Sequence, residues 1–131
     1  MIGLDTNVVV RYIMQDDARQ SRLATRLIES LTPESPGFLP LVTVVELVWV
    51  LSSSYRLDRE QVTETLDLLL RSKEIVVDRA DLVLQARHVF AAAGADFADS
   101  LIEKIASAAG CDATMTFDTG AAKAAGMTLV T

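Results

Sequence analysis

The sequence predicts an α/β domain on a mainly parallel sheet, and three observations predict it. Short apolar runs of strand length alternate with longer segments whose apolar residues recur at helical spacing. Two short runs end alike, at an aspartate followed by threonine: Leu4-Asp5-Thr6 near the start and Phe117-Asp118-Thr119 near the end. The length, 131 residues, suits one domain with its own core, so residues 1–131 are expected to form a single domain.

Taken in order, the apolar opening Met1 to Leu4 reads as a buried strand that delivers Asp5 to a sheet edge. In open α/β sheets, ligands sit outside the carboxyl ends of the strands, so that tip is the default place for chemistry. Asn7 to Met14 reads as a short helix and Ala18 to Leu31 as a second, with Leu23, Leu27, Ile28 and Leu31 at helical spacing. A Pro/Gly loop leads to a strand over Phe38 to Val42, where Pro40 favours an edge position. Thr43 is placed to cap a helix over Val44 to Tyr55, with Glu46 three residues on as in a capping box. Arg59 to Ser72 is helical, Glu74 to Asp78 a strand, and Arg79 to Ala93 a helix stopped by Gly94. Asp96 can cap the next helix, whose apolar stripe is Leu101, Ile102, Ile105 and Ala109. A strand ending at Asp118, a helix over Gly120 to Ala125 and a strand over Met127 to Val130 close the chain.

Composition narrows the classes of function. The longest apolar runs fall far short of the roughly 20 residues that span a bilayer, and no export signal opens the chain, so a soluble, cytoplasmic protein with no membrane partner is expected. Cys111 is the lone cysteine, which excludes an internal disulfide and a thiolate cluster and reads as a small buried residue. His88 is also alone, in a helical pattern, and reads as a surface or packing histidine. The net charge of −6 argues against a nucleic-acid partner until the acids are placed. If Asp5, Glu46, Asp96, Asp99 and Asp118 gather on a metal, setting their five charges aside leaves −1 for the rest.

Two readings stand open for Glu46. It can serve as a capping-box partner, or as a buried carboxylate on a helix apolar nearly all round, where it needs a partner or a metal. Asp96, Asp99 and Glu103, spaced i, i+3, i+7, share one helix face. Asp96 alone is explained by the helix dipole, whereas Asp99 needs a cation or a solvated face; for Glu103, beside Lys104, the solvated face suffices. An acidic pocket of Asp5, Glu46, Asp99 and Asp118, with no base, thiol or basic residue supplied, suits Mg²⁺ or Mn²⁺. The chemistry that fits is phosphodiester hydrolysis by metal-activated water.

These residues carry a resemblance. Leu4-Asp5-Thr6-Asn7, Val45-Glu46-Leu47-Val48-Trp49-Val50-Leu51, Asp96-Phe97-Ala98-Asp99-Ser100-Leu101-Ile102 and Thr116-Phe117-Asp118, in that order, closely resemble the PIN-domain ribonucleases, specifically the VapC toxins of type II toxin-antitoxin systems. The resemblance implies a three-layer α/β/α sandwich with a central mainly parallel sheet, and Mg²⁺-dependent cleavage of RNA. It implies Asp5, Glu46, Asp99 and Asp118 as catalytic acids, Asp5 and Asp99 as the direct metal ligands, and Asp96 as an additional acid. Thr6, Asn7 and Thr116 are implied as hydrogen-bond partners of the carboxylates or the phosphate. Glu103-Lys104 departs from the small residues usual at that place in similar sequences. A VapB-like antitoxin and a homodimer are the implied protein partners.

Two other classes remain beside this one. Asp5-Thr6-Asn7-Val8-Val9 also resembles the first motif of aspartyl-phosphate phosphatases, but Asn7 stands where that motif has its second acid. A PIN fold that binds a partner without cutting RNA is the non-enzymatic reading; loss of one of the four acids would favour it, and none is lost.

Overall fold

Strand β1 (Ile2–Gly3) pairs with β2 (Gly37–Leu39), and β2 with β3 (Ile75–Val77), all parallel and in the order β1-β2-β3. The structure is a computed structural model that describes residues 1–131, Ala93 by its backbone alone. The chain divides into two compact units, Met1–Asp78 and Arg79–Thr131. Helices and parallel strands alternate in both, as an α/β fold requires.

In the first unit the helices are α1 (Thr6–Met14), α2 (Ala18–Glu29), α3 (Leu41–Ser53) and α4 (Arg59–Arg71). The fully buried Val9, Leu39, Val44, Leu47, Leu51, Val62 and Leu66 centre its core. Each such side chain contributes roughly 1.5–3 kcal/mol when taken out of water. Gly37 opens β2 without a side chain because a Cβ there would lie 2.7 Å from Leu4 Cδ1 and 2.9 Å from Leu31 Cδ1. Leu4 fills that space and is buried, which fixes the residue just before Asp5.

Aspartate caps start two of these helices: Asp17 accepts the Gln20 amide, and Asp58 and Gln61 form a reciprocal capping box. The turn between α1 and α2 is held by side chains. Arg11 donates to Asp16, Gln20 and Tyr55, and the Tyr55 hydroxyl donates to Asp16 at 2.7 Å, which joins α1 to the end of α3. The Tyr55 hydrogen bond holds the Asp16 carboxyl below its ordinary range.

In the second unit are α5 (Ala80–Ala93), α6 (Phe97–Ala108), β4 (Met115–Thr116), α7 (Thr119–Ala124) and β5 (Thr128–Leu129), with β4 and β5 paired in parallel. Helices α5 and α6 pack together, and Phe90 meets Phe97 edge-on with ring centroids 6.1 Å apart. Gly94 ends α5 at φ +71, a conformation that glycine adopts without cost.

Several expectations are corrected. β1 is exposed, Ile2 at 45%, because it forms one edge of the three-stranded sheet and is only two residues long. β2 is not an edge strand; it ends before Pro40, which occupies the N-cap position of α3, where its fixed φ and missing amide do no harm. Thr43 therefore lies inside α3 and caps nothing. Leu23 and Ile102 are about half exposed, since α2 turns Ser21, Ala24 and Ile28 inward and α6 turns Phe97, Ser100 and Leu101 inward. Cys111 is exposed, because it follows the end of α6 in a turn. Among the described residues no helix is long and apolar enough to cross a membrane.

Candidate active site

In the first unit the site grows from the junction of β1 and α1. Asp5 is the N-cap residue of α1, with extended backbone, and its carbonyl accepts from the Val8 and Val9 amides. Its carboxylate makes no capping bond, unlike those of Asp17, Asp58, Asp96 and Asp118 at other helix starts. The side chain is exposed and keeps its oxygens open.

Both neighbours of Asp5 are tied to α3. The buried Thr43 hydroxyl donates to the Leu4 carbonyl at 3.3 Å, and the buried Thr6 hydroxyl donates to Glu46 Oε1 at 3.2 Å. Thr43 and Glu46 are three residues apart, on adjacent parts of one helix face. The unit thus brings Asp5, Thr6 and Glu46 together. Asn7, the next residue, is exposed and lines a groove between α1 and α2.

Glu46 is not the buried carboxylate expected, nor a capping residue. It is exposed, on a strip of α3 where Val42 (69%) and Trp49 (66%) are also left to solvent. The apolar residues all round this helix concealed that one face stays uncovered.

The start of α3 is fixed by a residue that sequence reasoning passed over. Asp78, directly after β3, accepts the Leu41 amide on Oδ2 at 3.1 Å. The signal was available, since Asp78 repeats the pattern of an apolar strand ending in an acid.

In the second unit Asp96, Asp99 and Asp118 line one cleft of about 550 Å³. Asp96 caps α6, accepting the Asp99 amide at 3.0 Å, while Ser100 Oγ donates to its carbonyl. Asp118 caps α7, its Oδ1 accepting the amides of Gly120 at 2.7 Å and Ala121 at 3.1 Å. Thr116 Oγ1 accepts the Asp118 amide at 3.0 Å, so this threonine serves the backbone of the acid rather than its carboxylate.

Asp99 differs from both. Its carboxylate accepts no hydrogen bond among the described residues, and partial burial, then the charges of Asp96 and Asp118, raise its pKa above the ordinary aspartate range. Lys123 lines the same cleft, so a cation is supplied where none was expected; its signal was that it is the only charge in α7.

Glu103, expected on a solvated face, is largely covered: its side chain is 18% exposed and lies against Gly126, with Lys104 Nζ 3.2 Å from Oε2. The turn at Gly126 covers it, where a Cβ would meet Glu103 Cδ at 3.8 Å, an ordinary contact.

The donor chemistry of these residues fits a hard divalent cation. Asp5 and Asp99 offer free carboxylate oxygens, and the crowding of Asp99 by like charges is what a cation relieves. Within either unit, no three Asp, Glu, His or Cys side chains among the described residues form a ready-made metal-binding group.

Compared with known families, residues 2–127 match the model described as the PIN domain. No curated protein matches the chain.

Proposed function

The chain belongs to the PIN-domain family, a nuclease-type fold, and from that premise we propose that it is a divalent-metal-dependent endoribonuclease, the toxin of a VapC-type toxin-antitoxin pair. The observation that carries the reading is the division of labour among the acids. Asp96 and Asp118 bind backbone amides and Glu46 binds Thr6, whereas Asp5 and Asp99 keep their carboxylates free. Free carboxylates beside fixed ones are what a site needs if it is to take up a cation without rearranging.

Asp5, Glu46, Asp99 and Asp118 are the catalytic acids of this reading, and Asp5 and Asp99 are the residues that would hold Mg²⁺ or Mn²⁺. When bound, such an ion supplies a Lewis acid for the phosphodiester and lowers the pKa of water for attack. The protein's own residues position. Thr6 holds Glu46 in one orientation, and Thr43 fixes Leu4, so Asp5 is set between two anchored neighbours. Thr116 fixes the Asp118 backbone; Asn7 in the first unit and Lys123 in the second each offer a donor for phosphate.

A small VapB-like antitoxin is the partner in this reading, offering an Arg or Lys that competes with the cation for the acids. The working form is a homodimer in the cytoplasm. Incubating the purified protein with total RNA, with Mg²⁺, with EDTA and as the Asp99→Asn variant, and then mapping new ends, tests the reading. Discrete ends only in the wild-type Mg²⁺ sample support it; identical RNA in all three samples overturns it.

A further inference from the structure

Helix α2 carries a stripe of positive charge in a chain that is acidic overall. Arg19, Arg22 and Arg26 follow i, i+3, i+7 spacing, so they share one face, and all three are exposed. Among the described residues none of them has an ion-pair or hydrogen-bond partner. The arginine on α1 differs, since Arg11 is already paired with Asp16 at 3.1 Å. The only acid within α2 is Glu29, at its last position.

The next face of α2 borders a groove of about 300 Å³ against α1, lined by Gln20, Leu23 and Leu27 on one side and by Asn7 and Val8 on the other. Asn7 is two residues from Asp5. The stripe therefore flanks a groove that leads to one of the free carboxylates. At 1.5 Å of rise per residue, Arg19 to Arg26 spans about 10.5 Å. Over that length one strand of a stacked helix passes about three phosphates. A stripe of that length is the right size for about three phosphates.

We propose that Arg19, Arg22 and Arg26 form a phosphate-tracking rail that guides single-stranded RNA along α2 toward Asp5. The proposal rests on the nuclease reading of the site and adds to it the element that grips the substrate. Guanidiniums suit the task because they stay charged and bind phosphate oxygens in pairs. The rail also answers the charge problem of the chain: the exposed acids Asp5 and Glu46 repel RNA, and a cationic track in the same unit offsets that repulsion.

The test measures binding of a fluorescent single-stranded RNA in EDTA, where nothing is cut, over a range of NaCl concentrations. The proteins compared are the wild type, the triple variant Arg19→Gln/Arg22→Gln/Arg26→Gln, and the triple variant with lysine at the same positions. Each phosphate contact contributes about 0.7 to the slope of log affinity against log salt for single strands. The glutamine variant is expected to bind at least about tenfold more weakly at low salt, with a slope shallower by about 2. The lysine variant should keep most of the slope. If the glutamine triple variant fails to fold, Arg22→Gln alone should lower the slope by about 0.7.

An unchanged slope and affinity in the glutamine variant, with wild-type protein binding this RNA in EDTA and cutting RNA in Mg²⁺, overturns the rail and leaves the nuclease reading intact. No RNA binding or cutting by the wild type overturns both. If polyglutamate is titrated in parallel and the glutamine variant loses its binding while RNA binding is untouched, the stripe is a docking surface for an acidic protein, and that result also overturns the rail.

Discussion

Thr6 Oγ1 donates to Glu46 Oε1 at 3.2 Å across 40 residues of sequence, and so ties the residue after Asp5 to the acid of α3. Because Thr6 is buried, its hydroxyl has Glu46 as its partner in place of water.

Thr6→Val removes that bond at nearly constant shape. The expected outcome is a fall in RNA cleavage of roughly tenfold, as for other residues that orient a functional carboxylate. The accompanying stability loss should be about 1 kcal/mol by chemical denaturation. Thr6→Ser should keep most of the activity. Full activity in the valine variant would show that Glu46 needs no such orientation.

Asp99→Asn addresses the crowded carboxylate. Its folded pKa is raised by partial burial and by Asp96 and Asp118, so the native state binds more protons than the unfolded state between the ordinary aspartate value and the raised one. Stability from this group therefore grows as pH falls through the raised folded pKa and levels off below the unfolded one. Above the raised value the charged form carries a constant penalty. The variant, which has no such charge, should melt higher than wild type near neutral pH without metal, show a flatter acid-side pH profile, and lose cleavage by roughly 100-fold or more. A lower melting temperature for the metal-free variant would show that Asp99 is a structural residue.

Asp96→Asn and Asp118→Asn separate capping from charge. Asparagine caps about as well as aspartate, so both variants should keep their stability, whereas alanine at either place should cost about 1 kcal/mol. Cleavage should fall less in Asp96→Asn than in Asp99→Asn, since Asp96 is already engaged by the Asp99 amide. Asp118→Asn should abolish activity while the fold melts as before. Retained cleavage there would reduce Asp118 to a cap for α7.

Metal binding should be visible without any substrate. A cation bound only by the native state stabilises it by RT ln(1 + [L]/Kd), about 2.7 kcal/mol at a hundredfold excess over Kd. The melting temperature should therefore rise with Mg²⁺ or Mn²⁺, and much less with NaCl at equal ionic strength. Equal rises in both salts would mean screening rather than a site.

The sequence made the helix starts and strand tips legible because capping chemistry and the Asp-Thr endings are local. Asp96 and the glycine stop at Gly94 stand where such signals put them. What it did not show were properties set at a distance. Thr43 matched a capping box, but Pro40 had already supplied the helix entry, which left the Thr43 hydroxyl to bond the Leu4 carbonyl 39 residues away. Glu46 sat among apolar residues and read as buried, because periodicity counts apolar positions and cannot tell which of them are covered. Asp118 read as a strand-tip acid alone, and its capping of α7 became plain only once Gly120 and Ala121 turned their amides toward it.

Trp49 is the only tryptophan of the chain and stands one turn beyond Glu46 on the same uncovered strip of α3. In the single chain its indole is 66% exposed, so its emission is expected at the red end of the scale. The protein thereby carries its own optical gauge beside one of its acids, one that needs no label. A blue shift on adding a divalent cation, an oligonucleotide or a second protein would report arrival at that helix face in real time.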